Sequence, residues 1–353
     1  MSNSKLFKCI SVISLLLIIS LILSFNSFAI QKNYTLKLAD TTAPVGMRGE
    51  HLNLLLEEIE KHTDGRINME VYWGSSLLTG KEILTGIRDK VVDCGFVLPE
   101  YYSKEMPIHS IFAVIPQGPT DFQIARKLYF DIFEQVPGYT EELESYNQKL
   151  FYIGMQQPMT VVCTKPFTSF EDFKGKKIRA SSRWYLDMLD GAGANPVSVP
   201  WEDLYMALQT GTIEGVCTNI DGEHRTKLDE VAPNVFTMRE IWMGTPLMYT
   251  INLDVWNQLP TDLQDALMAA SEAAMERFAE VHANEWDRII DEQIEAGYVV
   301  THASEEDIEN WTSMPKVAEL EQEWVKEVED RGVSNAEEIL NQTKDLVHKA
   351  LQK

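Results

Sequence analysis

Cysteines and basic residues are scarce in this sequence. Four cysteines occur in 353 residues, and 31 lysines and arginines face 54 aspartates and glutamates, for a formal net charge of −23. This acidic excess excludes nucleic acid and anionic lipid surfaces as partners, because both require a basic footprint. A small anionic ligand is still compatible, since one buried arginine outweighs a distant, screened surface field.

Beyond the N-terminal region, the remaining cysteines are Cys94, Cys163 and Cys217. Each lies in an apolar, strand-like stretch, and their number is odd. The pattern predicts buried free thiols and not a disulfide framework.

Motifs for metal binding and for catalysis are also missing. The sequence has no CxxC, no HExxH and no cluster of histidines and cysteines, so neither a metal site nor a cofactor is expected. The seven histidines are scattered, without a nucleophile or acid partner, and no G-x-S-x-G elbow is present. "GAGAN" lacks the preceding strand and following helix of a dinucleotide loop. We therefore expect a protein that is not an enzyme.

Residues 1–29 have the pattern of a signal peptide. Two lysines precede an apolar run from Ile10 to Leu23, and Ala29 ends a small-residue cleavage site. The run is too short, and too soon followed by polar residues, to favour a retained span. Cleavage and export to the periplasm are predicted, with an uncleaved N-terminal anchor as the alternative.

The next segments alternate between strand and helix patterns. Residues 34–40 alternate as a strand, 50–65 place leucines at helical spacing before a glycine, and 66–73 alternate again. Strand, helix, strand is the opening of an α/β lobe with a largely parallel sheet.

A weak internal echo suggests a second lobe on the same plan. Residues 82–99 and 205–220 both run from a helix through a turn into an apolar strand. An acid, Asp93 or Glu214, stands at the step from turn to strand in each. The echo is too loose to establish a duplication.

Two apolar strand candidates, 159–166 and 246–256, flank the intervening block. They indicate a second lobe inserted between crossing strands, an arrangement that favours hinge motion. The predicted division is residues 30–158 for the first part of lobe I and 159–248 for lobe II. Residues 249–353 then supply a return strand to lobe I, a long helix and the C-terminal helices.

Residues 261–296 carry a helical pattern throughout. At about 1.5 Å per residue such a helix reaches roughly 50 Å, which is longer than one lobe. It is either a bent pair of helices within one lobe or a brace across both.

The densest signal lies in residues 167–216, which contain, in order, a short helix, "KGKKIR", a Gly-Ala step, "PVSVP" and a helix ending "ALQTGTIEG". In these elements the sequence resembles the substrate-binding proteins of TRAP transporters, the DctP-like periplasmic receptors, and the resemblance extends from about 34 to 340. It implies a two-lobed α/β periplasmic-binding-protein fold with hinge-crossing strands and a long helix bridging both lobes. Such a receptor closes over an organic acid and delivers it to an ion-coupled TRAP membrane permease, its only membrane contact.

The family's characteristic arginine, which pairs with the ligand carboxylate, falls on Arg179. A planar guanidinium binds a carboxylate through two parallel hydrogen bonds and stays charged when desolvated. Its place at the end of a predicted strand suits the ligand crevice of open α/β sheets. The alternative for Arg179 is a solvated charge. Lys174, Lys176 and Lys177 are expected at the surface, and a ligand contact by Arg183 is left open.

The second ligand contact departs from the family pattern. Many members place an asparagine after the "EGV" segment, where strict alignment here puts Thr218, with Asn219 one residue later. An offset of one residue changes the face of a strand, so one of the two is expected to point into the cleft.

Further contacts are expected from loops after the strands. Tyr101 and Trp242 are chosen as pocket walls, one from each lobe, because a closing cleft is lined from both sides. Glu100 is a candidate for a cationic or hydroxyl group, and Thr41, within "DTT" after the first strand, is another cleft candidate. The alternatives are a place in the lobe core for the two aromatic residues, an exposed loop acid for Glu100 and a helix cap within "DTT".

Two other functions stay open at this point. An ABC-type binding protein for a sugar or amino acid would share the export signal and the lobes. An exported enzyme is the third reading, and the missing catalytic set argues against it.

Overall fold

The computed structural model describes residues 32–352, which form two α/β lobes. The predicted signal peptide lies outside the described residues. The strands are β1 (Tyr34–Ala39), β2 (Ile67–Tyr72), β3 (Cys94–Val97), β4 (Gln148–Gly154), β5 (Met159–Cys163), β6 (Lys177–Arg179), β7 (Asn195–Val197), β8 (Gly215–Asn219), β9 (Asn234–Met238), β10 (Leu247–Asn252) and β11 (Val299–His302).

Helices surround both sheets. They are α1 (Gly46–His62), α2 (Ile83–Arg88), α3 (Phe122–Gln135), α4 (Pro137–Ser145), α5 (Arg183–Gly191), α6 (Leu204–Gln209), α7 (Ile220–Arg225), α8 (Leu228–Val231), α9 (Leu253–Gln258), α10 (Thr261–Glu295), α11 (Glu305–Ser313), α12 (Pro315–Asp330) and α13 (Ala336–Leu351). Short 3₁₀ turns cover Pro99–Tyr102, His109–Ala113, Phe170–Phe173 and Trp201–Asp203.

The first sheet has the order β2-β1-β3-β10-β4. Strands β1, β2 and β3 are parallel, as the strand–helix–strand opening predicted. Strand β10 enters from the other lobe and runs antiparallel to both β3 and β4. The sheet is buried by α1 and α10 on one side, and residues such as Leu38, Leu55 and Ile153 are fully inaccessible there.

The second sheet has the order β11-β9-β5-β8-β6-β7. Strands β6, β7 and β8 are parallel, and β5 runs antiparallel to β8 and β9. Strand β11, which the sequence pattern did not predict, adds to this sheet in parallel with β9 although it follows the long helix in the chain.

The acids of the internal echo have matching roles in the two sheets. A carboxylate oxygen of Asp93 accepts from the backbone N–H of Lys37, and the Asp93 N–H donates to the Lys37 carbonyl. Glu214 makes the same reciprocal pair with Lys177. In each case the acid holds the start of one strand against its parallel neighbour, so the two lobes share this local construction.

Helix α10 is continuous over 35 residues. It packs on α1 and β4 of the first lobe and on α7 and β11 of the second. Its buried face passes from Leu263 and Phe278 at the first lobe to Trp286 and Ile289 nearer the second. The brace across both lobes is therefore the correct interpretation, and the predicted fold class is confirmed.

The three cysteines of the described region, Cys94, Cys163 and Cys217, are free and buried, as predicted. Within residues 32–352 no helix is both long enough and apolar enough to cross a membrane.

His282 lies where α10 passes the connection between β4 and β5. Its Nε2 is 3.4 Å from the Gln156 carbonyl oxygen, and Gln157 Nε2 donates to the His282 carbonyl over 2.7 Å. Burial lowers the pKa of His282 to about 4. The imidazole is therefore neutral in the folded protein over most of the acidic range.

We expect His282 to destabilise the fold as the pH falls. Below about pH 6.5 the unfolded chain protonates this histidine while the folded protein does not, so stability is intact above that pH and is lost down to about pH 4. The loss attributable to His282 is about 3 kcal/mol at most. Urea titrations of wild type and His282→Gln at pH 7 and pH 4.5 isolate it, because the variant should lose less stability on acidification. An equal loss in both proteins would contradict the assignment.

Candidate functional site

Arg179 stands at the carboxyl end of β6, where the second lobe faces the first. Gly175, with a φ of 73°, makes the turn that starts the strand. Strand β6 lies between β7 and β8 in parallel register, so its end opens at the same sheet edge as theirs. Ser182 then caps α5 by accepting from the Tyr185 N–H, which ends the strand just after the arginine.

The Arg179 side chain is buried but only partly bonded. It is 3% exposed, its Nε donates to the Val199 carbonyl over 3.0 Å, and its Cζ lies 5.5 Å from the centre of the Trp201 ring. Its buried Nη1 has no hydrogen-bond partner among the described residues. Burial lowers the pKa of Arg179, and the nearby Tyr101 and Glu100 oppose that shift. A desolvated guanidinium with an unused donor is suited to receive an anion.

Glu100 and Tyr101 approach Arg179 from the first lobe. Both lie in the 3₁₀ turn after β3. Glu100 is 5% exposed, and its Oε1 accepts from Gln156 Nε2 over 3.0 Å. Burial and the charge of Glu100 raise the pKa of Tyr101, whereas Arg179 and Arg48 lower it. The predicted residues Arg179, Glu100 and Tyr101 are thus brought together from opposite lobes.

Thr41 lies beside Tyr101. A Cβ added to Gly80 would lie 2.8 Å from the Tyr101 ring and 3.3 Å from the Thr41 methyl group. The glycine therefore gives both side chains room at this edge of the first sheet.

Thr218 and Asn219 occupy opposite faces of β8. Arg179 pairs with Val216, so alternation places Thr218 on the face shared by Arg179 and Asn219 on the other. Asn219 caps α7, since its Oδ1 accepts from the Gly222 N–H over 2.7 Å, and its Nδ2 donates to Gln156 Oε1 over 3.0 Å. The amide of Asn219 is therefore engaged within the protein, and Thr218 is 4% exposed with its carbonyl held by Thr160.

Gln156 links the two lobes and was not predicted. It lies in the connection between β4 and β5, bonds Glu100 on one side and Asn219 on the other, and also donates to the Thr245 carbonyl over 3.2 Å. The signal in the sequence was the polar pair "QQ" inside a connection between two buried strands.

Tyr185 and Thr245 are further buried groups that the sequence analysis missed. The Tyr185 hydroxyl and Thr245 Oγ1 have no hydrogen-bond partner among the described residues. Burial and the charge of Glu100 raise the pKa of Tyr185 well above its usual value. With Arg179 Nη1 they supply unpaired polar atoms around Glu100, and buried polar groups without partners are expected where a ligand completes the bonding.

Trp242 lies in the aromatic core of the first lobe. Its Nε1 donates to the Ile115 carbonyl over 3.0 Å, and its ring stacks on Tyr129 with 6.3 Å between centroids and 4° between planes. A Cβ on Gly118 would overlap the indole. The indole N–H of Trp242, which was predicted as the pocket wall from the second lobe, is therefore already bonded within the protein.

Two further cations lie near Tyr101, each with its own aspartate. Arg48 of α1 forms an ion pair with Asp40 at 3.0 Å. Arg225 of α7 has its Nε 3.8 Å from Asp221 Oδ2, and its Cδ would lie 3.1 Å from a Cβ on Gly46, at the start of α1. The two lobes are therefore in contact where Arg225 of α7 meets the start of α1.

The other lysines and arginines of residues 173–184 occupy positions different from that of Arg179. Lys174 and Lys177 are exposed, and Lys176 is half-buried. Arg183 forms ion pairs with Glu323 at 2.9 Å and Glu327 at 2.8 Å of α12, and lies over the Trp184 ring. Arg183 therefore fastens α5 to the C-terminal helices. Among residues 32–352, no three His, Cys, Asp or Glu side chains are grouped so as to hold a metal ion.

Comparison with known proteins defines the class. Residues 38–327 match the model of bacterial extracellular solute-binding proteins, family 7 (DctP). A curated solute-binding protein of Albidiferax ferrireducens is 30% identical over 228 residues, covering 63% of this chain and 65% of the relative, which is a little under two thirds of its length.

Solved structures share the fold. A TRAP solute-binding protein of Rhodoferax ferrireducens, in complex with copurified benzoate, has a TM-score of 0.79 at 19% identity, covering 91% of this chain and 99% of the other. A marine metagenome TRAP solute-binding protein from an unidentified microbe, in complex with co-purified pyroglutamate, has a TM-score of 0.76 at 19% identity, covering 89% and 99%. The chain is thus a two-lobed solute-binding protein. It belongs to family 7 of the bacterial extracellular solute-binding proteins, which confirms the resemblance found in the sequence.

Proposed function

We propose that this protein is a periplasmic receptor that binds an organic acid between its lobes and delivers it to an ion-coupled TRAP permease. The observation that carries the proposal is Arg179, a guanidinium 3% exposed with an unbonded Nη1 that faces Glu100 and Tyr101 of the other lobe. Benzoate and pyroglutamate, found in the two structural relatives, are both carboxylic acids.

Lobe closure would supply the affinity. The chain crosses between the lobes through the β4–β5 connection and again between β9 and β10, while α10 spans both. Crossings of this kind permit hinge closure. Closure removes water from around Arg179, which strengthens its attraction for a carboxylate.

The ligand class is tested on protein purified without refolding. Mass spectrometry of the released small molecules should detect an organic acid, and a thermal-shift panel of carboxylates should then raise the melting temperature. A ligand at 100 times its Kd adds about 2.7 kcal/mol to the free energy of unfolding. The proposal is wrong if no carboxylate shifts the melting transition while a sugar does, or if the pure protein turns its ligand over.

A further inference from the structure

Glu100 is a buried carboxylate whose bonding is incomplete. Glu100 is 5% exposed. Within the described part of the chain, its side chain accepts one hydrogen bond, which Gln156 Nε2 donates to Oε1. No lysine, arginine or histidine of residues 32–352 lies within ion-pair distance of it. Oε2 accepts no hydrogen bond there and keeps some accessible surface, so it is open to a group in the cleft. Once lobe closure removes water from this carboxylate, it needs a donor to offset the cost.

The hydrogen-bond network fixes Glu100 as an acceptor. The Gly222 backbone N–H can only donate, so the Asn219 atom that faces it is Oδ1. Asn219 therefore turns Nδ2 toward Gln156, whose Oε1 accepts, and Gln156 turns Nε2 toward Glu100. The direction of each amide follows from one unambiguous donor. The site thus presents an acceptor, and not a donor, at the position of Glu100.

Glu100 of the first lobe lies within electrostatic range of Arg179 in the second. The charge of Glu100 acts on Arg179, Tyr185 and Cys217, all in the second lobe. Of the other cations near Tyr101, Arg48 donates to Asp40 through Nη2, whereas Arg225 lies 3.8 Å from Asp221, and the Nε of each has no hydrogen-bond partner among the described residues. Among residues 32–352 the cleft therefore offers a ligand Arg179 Nη1 as a donor from the second lobe and Glu100 Oε2 as an acceptor from the first.

We infer that the ligand is an organic acid that also carries a hydrogen-bond donor: its carboxylate binds Arg179 and a hydroxyl, amide N–H or ammonium group donates to Glu100 Oε2. This inference rests on the proposed function and narrows its ligand class. An acid without such a donor leaves Glu100 Oε2 unpaired when closure removes water from the cleft, and sites built to bond a polar group discriminate strongly against analogues that lack it.

The experiment measures Kd by calorimetry for matched pairs of acids that differ in the donor alone. Suitable pairs are pyroglutamate with its lactone analogue 5-oxotetrahydrofuran-2-carboxylate, in which a ring oxygen replaces the N–H, 3-hydroxybenzoate with benzoate, mandelate with phenylacetate, and malate with succinate. Each pair is measured on wild type, on Glu100→Gln and on Glu105→Gln, which removes the same charge from an exposed position in the same segment. For the pair that fits the cleft, the donor should tighten binding to wild type about 10- to 150-fold.

In Glu100→Gln that preference should fall at least tenfold, whereas Glu105→Gln should keep it. Equal binding of both members of every pair to wild type would overturn the inference but leave the proposed function standing. This test uses wild type alone, so it remains decisive even if Glu100→Gln does not fold. Tighter binding of both members by Glu100→Gln, with the preference unchanged, would show that Glu100 only neutralises Arg179 and would also overturn it. Failure of every acid to bind would remove the proposed function, and this inference with it.

Discussion

Replacing Arg179 with alanine is expected to weaken binding of the carboxylate ligand by about 30- to 3,000-fold, measured as Kd by calorimetry. Removing one partner of a buried, hydrogen-bonded charge pair costs about 2–5 kcal/mol, and each 1.4 kcal/mol is about tenfold in Kd. The guanidinium is 3% exposed and already held by the Val199 carbonyl, so a bound carboxylate would meet a preoriented, desolvated cation. Arg179→Lys should also bind poorly, because an ammonium cannot make two parallel bonds.

Lys177→Ala is the matched control for this prediction. It removes one positive charge from the same strand at an exposed position, so its Kd should stay close to that of wild type. Without ligand, Arg179→Ala should melt no lower than wild type, because burial disfavours the charged guanidinium that it removes. Unchanged affinity in Arg179→Ala would show that the ligand is anchored elsewhere.

The fold and the place of Arg179 at the end of a strand could be predicted from the sequence because their signals are local. "KGKKIR", "PVSVP" and "ALQTGTIEG" are ungapped segments in a fixed order, and the turn at Gly175 and the strand after it are short-range features. The 35-residue helix was likewise visible as a periodic pattern. What the pattern did not decide was whether that helix lay in one lobe or two, because packing partners are distant in the chain.

The remainder of the site depends on contacts between lobes. Gln156 is informative because Glu100 and Asn219 lie on either side of it, 56 and 63 positions away in the chain. Tyr185 and Thr245 are notable because their buried hydroxyls lack partners, which no local pattern indicates. Trp242 was chosen as the pocket wall of the second lobe from its place in the chain, whereas its ring stacks on Tyr129 of the first lobe, a contact that no local pattern indicates.

The second large effect is expected at Asp40, at the end of β1. Its side chain is fully buried and accepts three hydrogen bonds: from the Thr42 N–H at 2.8 Å, from Arg48 Nη2 at 3.0 Å and from the Tyr249 hydroxyl at 2.5 Å. Burial alone would lower the pKa of Arg48, but Asp40 and Tyr249 outweigh it and raise that pKa. This carboxylate is thus the main compensation for burying the charge of Arg48.

Asp40→Ala should therefore lower the free energy of unfolding by about 3–5 kcal/mol, the typical cost of leaving a buried cation unpaired. Urea denaturation at pH 7 measures it, with Asp89→Ala as the control, since the Arg88–Asp89 pair is exposed to solvent and should contribute little to stability. Adding Arg48→Met to Asp40→Ala should recover much of the loss, because Phe96, 3.7 Å from the guanidinium, can pack on an apolar chain. A loss of less than about 1 kcal/mol in Asp40→Ala, or no recovery in the double variant, would mean that Arg48 does not depend on Asp40 for its place in the core.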